Sequence, residues 1–229
     1  MSRILFFETE TTEFAFLNQP LITPGKNYPR LVQLAYSLHE DSGQVIQTGN
    51  FIVKPLDSIT PEVPGLQGMD SLCPSSPCHY GVLIDEGLSD FFCQAIRADY
   101  LVAHNYEYNI KVIEAEAIKA GYEKQYKAIF ENREPICTKK TTANLVKIPG
   151  PYGGHRNPKL SELHQFLFKS SIEEKYSTAS MVKTCAKCFF ELKRKGHYKI
   201  FVDALSLACS CIFLFSNIII EHEEVFDFV

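Results

Sequence analysis

Polar side chains that could bind a ligand or transfer a proton stand at three places in the sequence, each beside an apolar element. They are Phe7-Glu8-Thr9-Glu10-Thr11-Thr12, Leu101-Val102-Ala103-His104-Asn105-Tyr106-Glu107-Tyr108-Asn109 and Lys175-Tyr176-Ser177-Thr178-Ala179-Ser180-Met181-Val182. A helix is predicted to begin at His104 and Asn105. The free backbone N–H groups at the start of a helix bind phosphate or carboxylate groups. An equally good interpretation is that Asn105 simply caps the helix.

Taken together, the three segments resemble the motifs of the DnaQ-like, DEDDh-type 3′–5′ exonucleases of the ribonuclease H-like superfamily. That family has Asp-x-Glu-Thr-Thr after its first strand, His-Asn-x-x-Phe-Asp after its fourth, and His-x-Ala-x-x-Asp at its last helix. Shorter stretches at 29–35, 52–55, 148–153, 158–163 and 186–192 add support in the same order. The resemblance covers residues 1–195 and implies an α/β, ribonuclease H-like fold with a mixed central β-sheet flanked by helices.

The resemblance also implies a metal site. In this family four carboxylates hold two divalent ions, Mg²⁺ or Mn²⁺, one activating water and the other stabilising the leaving oxygen of a phosphodiester. A His near the last Asp is the general base. Matched motif by motif, the four ligand positions and the base position hold Glu8, Glu10, Asn109, Met181 and Tyr176. Only Glu10 is the residue that the family has there.

The other four residues predict weak or absent binding of Mg²⁺ or Mn²⁺. Glu8 keeps a carboxylate, but its extra methylene moves the oxygens, and such catalysis tolerates a misplacement of only about half an ångström. Asn109 offers a neutral oxygen, and Met181 offers a thioether, a poor partner for a hard ion. Tyr176 is a weak base, because an unperturbed phenol has a pKa of about 10. Glu8 and Glu10 remain as the predicted metal ligands.

Nucleic-acid contacts are predicted at Thr11, His104 and Asn105. A basic stretch around a Pro/Gly loop could also contact a phosphate backbone, although a solvated loop is the commoner meaning of such a pattern; it comprises Lys139, Lys140, Lys147, His155, Arg156 and Lys159. Two further acids near the second motif, Glu107 and Glu116, are interpreted as solvated surface residues.

Hydrophobic spacing predicts the elements that position these residues. Strands are expected at Arg3–Phe7, ended by the polar run from Glu8, and in an antiparallel hairpin of Leu31–Leu38 with Val45–Val53. Later elements are helices near 82–96, 105–120, 141–146, 160–167 and 179–194 and short strands at 100–103 and 136–137, with a loop at 149–154. A meander followed by alternating helices and strands is an α/β plan with a mixed sheet.

Composition sets broader limits. The chain has 229 residues, 45% of them hydrophobic, which suits one domain plus an extension, and its net charge of −4 gives no general attraction to nucleic acid. The apolar start is too short for a secretory signal, so the eight cysteines are predicted to be reduced thiols of a cytoplasmic protein. Cys73-x4-Cys78-His79 and Cys185-x2-Cys188 could suggest zinc, but unligated thiols suit this spacing better.

The resemblance ends near residue 195, and residues 196–229 form an apolar C-terminal extension. Ala204–Ile220 carries no charge, with basic residues before it and acidic residues after it. The run is short for a membrane span, so a helix packed on the domain or on a partner is favoured over an anchor.

Three functions follow from the sequence. The leading hypothesis is a pseudo-exonuclease that binds a single-stranded nucleic acid or a protein partner and lacks efficient hydrolysis. The second is a weak metal-dependent 3′–5′ exonuclease that uses Glu8 and Glu10. The third is an interaction module attached to a membrane through its C-terminal segment. Metal-dependent cleavage separates the first two, and removal of the apolar extension tests the third.

Overall fold

The structure is a computed structural model that describes residues 2–11, 29–53, 81–131, 133–172 and 176–198. Five strands form one sheet in the order β3-β2-β1-β4-β5; they are β1 (Arg3–Thr11), β2 (Leu31–Glu40), β3 (Val45–Ile52), β4 (Tyr100–Ala103) and β5 (Pro135–Cys137). β2 is antiparallel to both β1 and β3, whereas β4 is parallel to β1 and β5 is parallel to β4. The predicted hairpin and the mixed character of the sheet are confirmed.

The first strand is longer than predicted. The polar run from Glu8 was expected to end it, but Glu8, Thr9 and Glu10 pair with β2 opposite Ala35, Leu34 and Gln33. The prediction was wrong because backbone pairing with a long neighbouring strand satisfies the main chain whatever the side chains are. The register shifts only between Glu10 and Thr11. Both acidic residues are therefore held on a strand.

Seven helices lie in the described part of the chain: α1 (Ile84–Arg97), α2 (Tyr106–Lys119), α3 (Glu123–Phe130), α4 (Thr138–Thr141), α5 (Ala143–Val146), α6 (Leu160–Phe168) and α7 (Thr178–Arg194). The predictions for α1, α2, α6 and α7 are confirmed to within a few residues. The short helix α3 was not predicted. The predicted loop at 149–154 is the tip of a small hairpin, β6 (Ile148–Pro149) with β7 (His155–Arg156).

The single helix predicted at 141–146 is replaced by α4 and α5, which are divided at Thr142. The Thr142 hydroxyl donates to the backbone oxygen of Thr138 at 2.6 Å. Such a side-chain bond competes with the regular helical ladder, which gives a physical reason for the break.

Each face of the sheet carries its own apolar core. Leu5 and Phe7 of β1 belong to a cluster with α1, α2 and α3, whereas Ile4 and Phe6 belong to a cluster with α6 and α7. Because side chains alternate along a strand, Glu8 and Glu10 continue the row of Ile4 and Phe6 on the side of α7. The fold thus directs both carboxylates toward the start of the last described helix.

Some predictions fall outside the described residues. These are the Cys73–His79 pattern and the C-terminal run Ala204–Ile220. Within the described ranges, no helix is both long and apolar enough to cross a bilayer.

Candidate functional site

Glu8 is partly buried, and its carboxylate interacts with Glu10, Asn109 and Lys139. Removal from water raises its pKa to about 7, and the nearby Glu10 charge adds to the shift. The Asn109 amide, the Lys139 ammonium and a backbone contact at Thr9 act in the opposite direction. In the absence of a metal ion, Glu8 therefore holds its proton more readily than a free carboxyl group does.

Asn109 is fully buried on α2 beside β1. The Thr9 hydroxyl donates to its Oδ1 atom at 3.0 Å, and the amide also lowers the pKa of Glu8. Within the described ranges the Nδ2 atom forms no hydrogen bond of good geometry. Asn109 thus lies next to Glu8, as the sequence predicted. Its side-chain oxygen accepts the hydrogen bond from Thr9.

Tyr176 donates a hydrogen bond to the Glu10 carboxylate. The pKa of Glu10 is raised by burial and lowered by this bond. Tyr176 is 66% exposed as a residue, but desolvation of its hydroxyl and the charges of Glu10 and Glu8 raise the pKa of the phenol, which is protonated at neutral pH. A protonated phenol cannot accept a proton from water, so the group at the base position is a donor to Glu10.

Met181 lies half-buried one turn into α7 and packs against the α6–α7 core cluster. The helix start is well fixed, because Ser177 and Ser180 form a capping box and the Thr178 hydroxyl donates to Gln33 Oε1 of β2 at 2.9 Å. The fourth ligand position therefore offers a packed thioether, although the helix that carries it is anchored at the sheet.

His104 is buried, and both of its ring nitrogens are used within the domain. Nε2 donates to the Pro158 carbonyl at 3.1 Å, so Nδ1 accepts from the Thr138 hydroxyl at 2.9 Å. Burial lowers the pKa of His104 to about 4 and the ring is neutral. The nucleic-acid contact predicted for His104 stays a prediction, and the observed contacts are structural.

Asn105 occupies the N-cap position of α2, but its side chain makes no capping hydrogen bond. Its Oδ1 atom instead accepts from Lys139 Nζ at 3.3 Å. The interpretation that Asn105 caps the helix is therefore confirmed for its position, whereas its side chain bonds to Lys139 in place of the helix backbone. Thr11, the other predicted contact residue, is hydrogen-bonded through Oγ1 to the Tyr108 hydroxyl at 2.7 Å.

The two neighbouring acids behave differently from each other. Glu107 is exposed and pairs with Lys140, as expected of a surface residue. The same expectation was wrong for Glu116, which is only 2% exposed and accepts from Arg30 Nε at 2.8 Å and from the Leu31 N–H at 3.2 Å. A buried carboxylate needs such partners, and Arg30 reaches it from the strand side of α2.

Two cations of the predicted basic stretch have carboxylate partners among the described residues. Arg156 forms a two-pronged contact with Glu162 at 2.9 and 2.6 Å, and Lys140 is paired with Glu107. Lys139 differs, because its described hydrogen bond is to the neutral amide of Asn105. Sequence reasoning assigned Lys139 to a loop, and only the parallel β4–β5 pairing brings the start of α4 to the site.

These donors do not fit a pair of divalent ions. The site combines two carboxylates, a neutral amide and a thioether, with an ammonium nearby. Hard ions need several ionised oxygen ligands and are repelled by a neighbouring cation. In the described ranges no group of three or more His, Cys, Asp and Glu side chains is arranged to hold a metal. Cys185 and Cys188 are buried thiols whose pKa values are raised by burial.

Comparison with solved structures identifies the architecture. Product-bound exonuclease I superposes with a TM-score of 0.60 at 14% identity, over 84% of this chain and 43% of that chain. E. coli exonuclease I in complex with a dA16 oligonucleotide gives 0.61 at 13% identity, over 85% and 41%. A full-length 3′-exonuclease gives 0.59 at 12% identity, over 85% and 61%. The domain has a ribonuclease H-like fold.

This confirms the predicted fold class. At such identities the likeness concerns the fold, and the matched region spans less than two thirds of each of these proteins. The sequence matches no protein-family model and no curated protein. The ribonuclease H-like fold accounts for the convergence of β1, α2 and α7 at one site, and the chemistry of that site depends on the side chains present.

Proposed function

We propose that this chain is a nuclease-related domain that binds the end of a single-stranded nucleic acid without hydrolysing it efficiently. The observation that carries the proposal is the pairing of Tyr176 with Glu10. It puts a protonated phenol at the position where the exonuclease family that this chain resembles has its general base. With Asn109 and Met181 at two ligand positions, the site lacks charged oxygens for two ions. The framework that gathers β1, α2 and α7 is nevertheless complete.

Support for a nucleic-acid ligand comes from the fold and from one surface feature. One structural neighbour, E. coli exonuclease I, has been solved with a dA16 oligonucleotide. In this chain, the β6–β7 hairpin that follows α5 presents Tyr152 fully exposed at its tip, with Lys147 and His155 on the same short segment. Exposed aromatic rings beside cations stack on bases and hold phosphates without sequence preference.

The test is the fate of a 5′-labelled single strand incubated with the purified full-length chain. We expect no metal-dependent degradation with Mg²⁺ or Mn²⁺, and we expect binding that is seen as a rise in fluorescence anisotropy. Glu10→Ala and EDTA serve as controls for metal chemistry, and Glu107→Ala is the matched control on an exposed acid.

Two outcomes would contradict the proposal. Degradation that both EDTA and Glu10→Ala abolish, and that Glu107→Ala does not, would establish the weak exonuclease that uses Glu8 and Glu10. Absence of any strand binding, with or without metal, would leave a protein partner as the ligand of the domain. The proposal of a membrane-attached module concerns residues outside the described ranges and is tested separately.

A further inference from the structure

Lys139 lies at the carboxyl end of the parallel strands, beside the candidate site. It is the second residue of α4, which starts directly after β5, and its Nζ atom donates to Asn105 Oδ1 at 3.3 Å. The positive charge of Lys139 lowers the pKa values of both Glu8 and His104. A partly buried ammonium is thus placed within electrostatic reach of the first carboxylate.

The backbone that carries Lys139 is firmly anchored. Thr138 is fully buried and its hydroxyl contacts both His104 Nδ1 at 2.9 Å and Cys185 Sγ at 3.7 Å. The Thr141 hydroxyl donates to the Cys137 carbonyl at 3.0 Å. These bonds tie the first turn of α4 to β4 and α7, so the position of the Lys139 backbone is set by the same elements that form the site.

The described partner of Lys139 differs from the partners of three other cations of the domain. Lys140, Arg156 and Arg30 each contact a carboxylate. For Lys139 the described residues provide a neutral amide oxygen, and an ammonium has three N–H donors. Donors of the Lys139 ammonium therefore remain for an incoming anion.

This inference deepens the proposed function and rests on it. We propose that the Lys139 ammonium takes the place of a divalent ion as the group that binds a phosphate at the single-strand end. A lysine offers phosphate a compact positive charge with several donors. It cannot generate a metal-bound hydroxide, so this substitution permits binding and removes hydrolysis at once.

The experiment measures binding of a short fluorescein-labelled oligothymidylate to the full-length chain in EDTA, by anisotropy, across a series of salt concentrations. We expect the wild-type Kd in EDTA to equal that in Mg²⁺ to within about twofold, and Lys139→Met to weaken binding about tenfold. Loss of one phosphate contact should also lower the slope of log K against log salt by about one. Lys139→Arg should retain most of the affinity, because it keeps the charge.

Lys140→Met is the matched control, since Lys140 is the next residue and pairs with Glu107. It should leave both the affinity and the salt slope near the wild-type values. Unchanged affinity and salt slope in a folded Lys139→Met protein would overturn the inference while leaving the proposed function intact. Wild-type binding that requires Mg²⁺ would overturn it as well. Absence of wild-type binding in every condition would instead overturn the proposed function itself.

Discussion

At the scale of single residues, the candidate site is governed by the ionisation of Glu8. Burial raises its pKa, and Glu10 on the same face of β1 raises it further, while Asn109 and Lys139 offset part of the shift. An ionised Glu8 is thus costly to the folded state. In a metal enzyme a divalent ion would neutralise such a charge, whereas among the described residues Asn109 and Lys139 lower the pKa of Glu8.

Replacement of Glu8 by glutamine should stabilise the protein at alkaline pH. The pKa of Glu8 is raised from 4.5 to about 7 in the folded state. The folded state therefore binds the proton more tightly, and stability is full below pH 4.5 and declines as pH rises toward 7. Because Glu8 is partly exposed, we expect a gain of about 2 kcal/mol for Glu8→Gln at pH 8 and little change near pH 4.5.

Urea denaturation at both pH values measures this difference. Glu107→Gln, which alters an exposed acid on α2, should show no such pH dependence. A Glu8→Gln protein that loses stability at pH 8 would show that the Glu8 charge is compensated in the fold, contrary to the argument from burial.

At the scale of elements, His104 connects three parts of the domain. It follows β4 and opens the turn into α2, and its ring bridges Thr138 at the start of α4 and the Pro158 carbonyl just before α6. The neutral His104 ring therefore connects the segments that follow β4 and β5 with the segment that precedes α6. The same imidazole was predicted from sequence to be a ligand contact, so its role has a direct test.

His104→Ala should destabilise the domain by about 2–3 kcal/mol, because it removes two buried hydrogen bonds and leaves the Thr138 hydroxyl and the Pro158 carbonyl without that partner. Since its pKa is lowered from 6.5 to about 4, the neutral ring supports the fold above pH 6.5, and this support is lost as pH falls toward 4. Thermal and urea denaturation measure the loss. His155→Ala, at an exposed position of the hairpin, is the control and should change stability by less than about 0.5 kcal/mol. A His104→Ala protein of normal stability that no longer binds a single strand would instead favour the ligand-contact role.

At the scale of the whole molecule, the described residues close both faces of the sheet. α1, α2 and α3 cover one face and α6 and α7 cover the other. The last described residues still belong to this structure, because the Tyr198 ring stacks on Phe189 at 4.9 Å and its hydroxyl bonds to Thr141. A boundary for the apolar extension is therefore best tested just after Tyr198.

A chain that ends at Tyr198 should fold cooperatively, with a Tm within about 5 °C of the full-length value, since the described residues up to Tyr198 already form core clusters on both faces of the sheet. Circular dichroism melts of both chains measure this. A shortened chain that aggregates or melts far lower would mean that residues 199–229 complete the core. If only the full chain partitions into lipid vesicles, the membrane-attached module gains support.

Much of this protein could be predicted from local sequence patterns. The alternating and helical apolar spacings located the hairpin, α1, α2, α6 and α7, because burial on one face leaves a period in the sequence. The polar motifs around Glu8, Asn109 and Tyr176 resemble those of the exonuclease family, and this resemblance indicated which element ends had to meet. The sequence by itself therefore determined the fold class and the candidate positions of the site.

The tertiary structure decided what those positions contact. β1 continues through Glu10 because β2 lies beside it, and Lys139 approaches Glu8 because β5 pairs with β4. Glu116 is buried because Arg30, directly before β2, pairs with it. None of these three facts has a local signature, since each depends on groups far apart in the chain. Long-range pairing and burial set the charges of the site, and those charges exist only after the chain has folded.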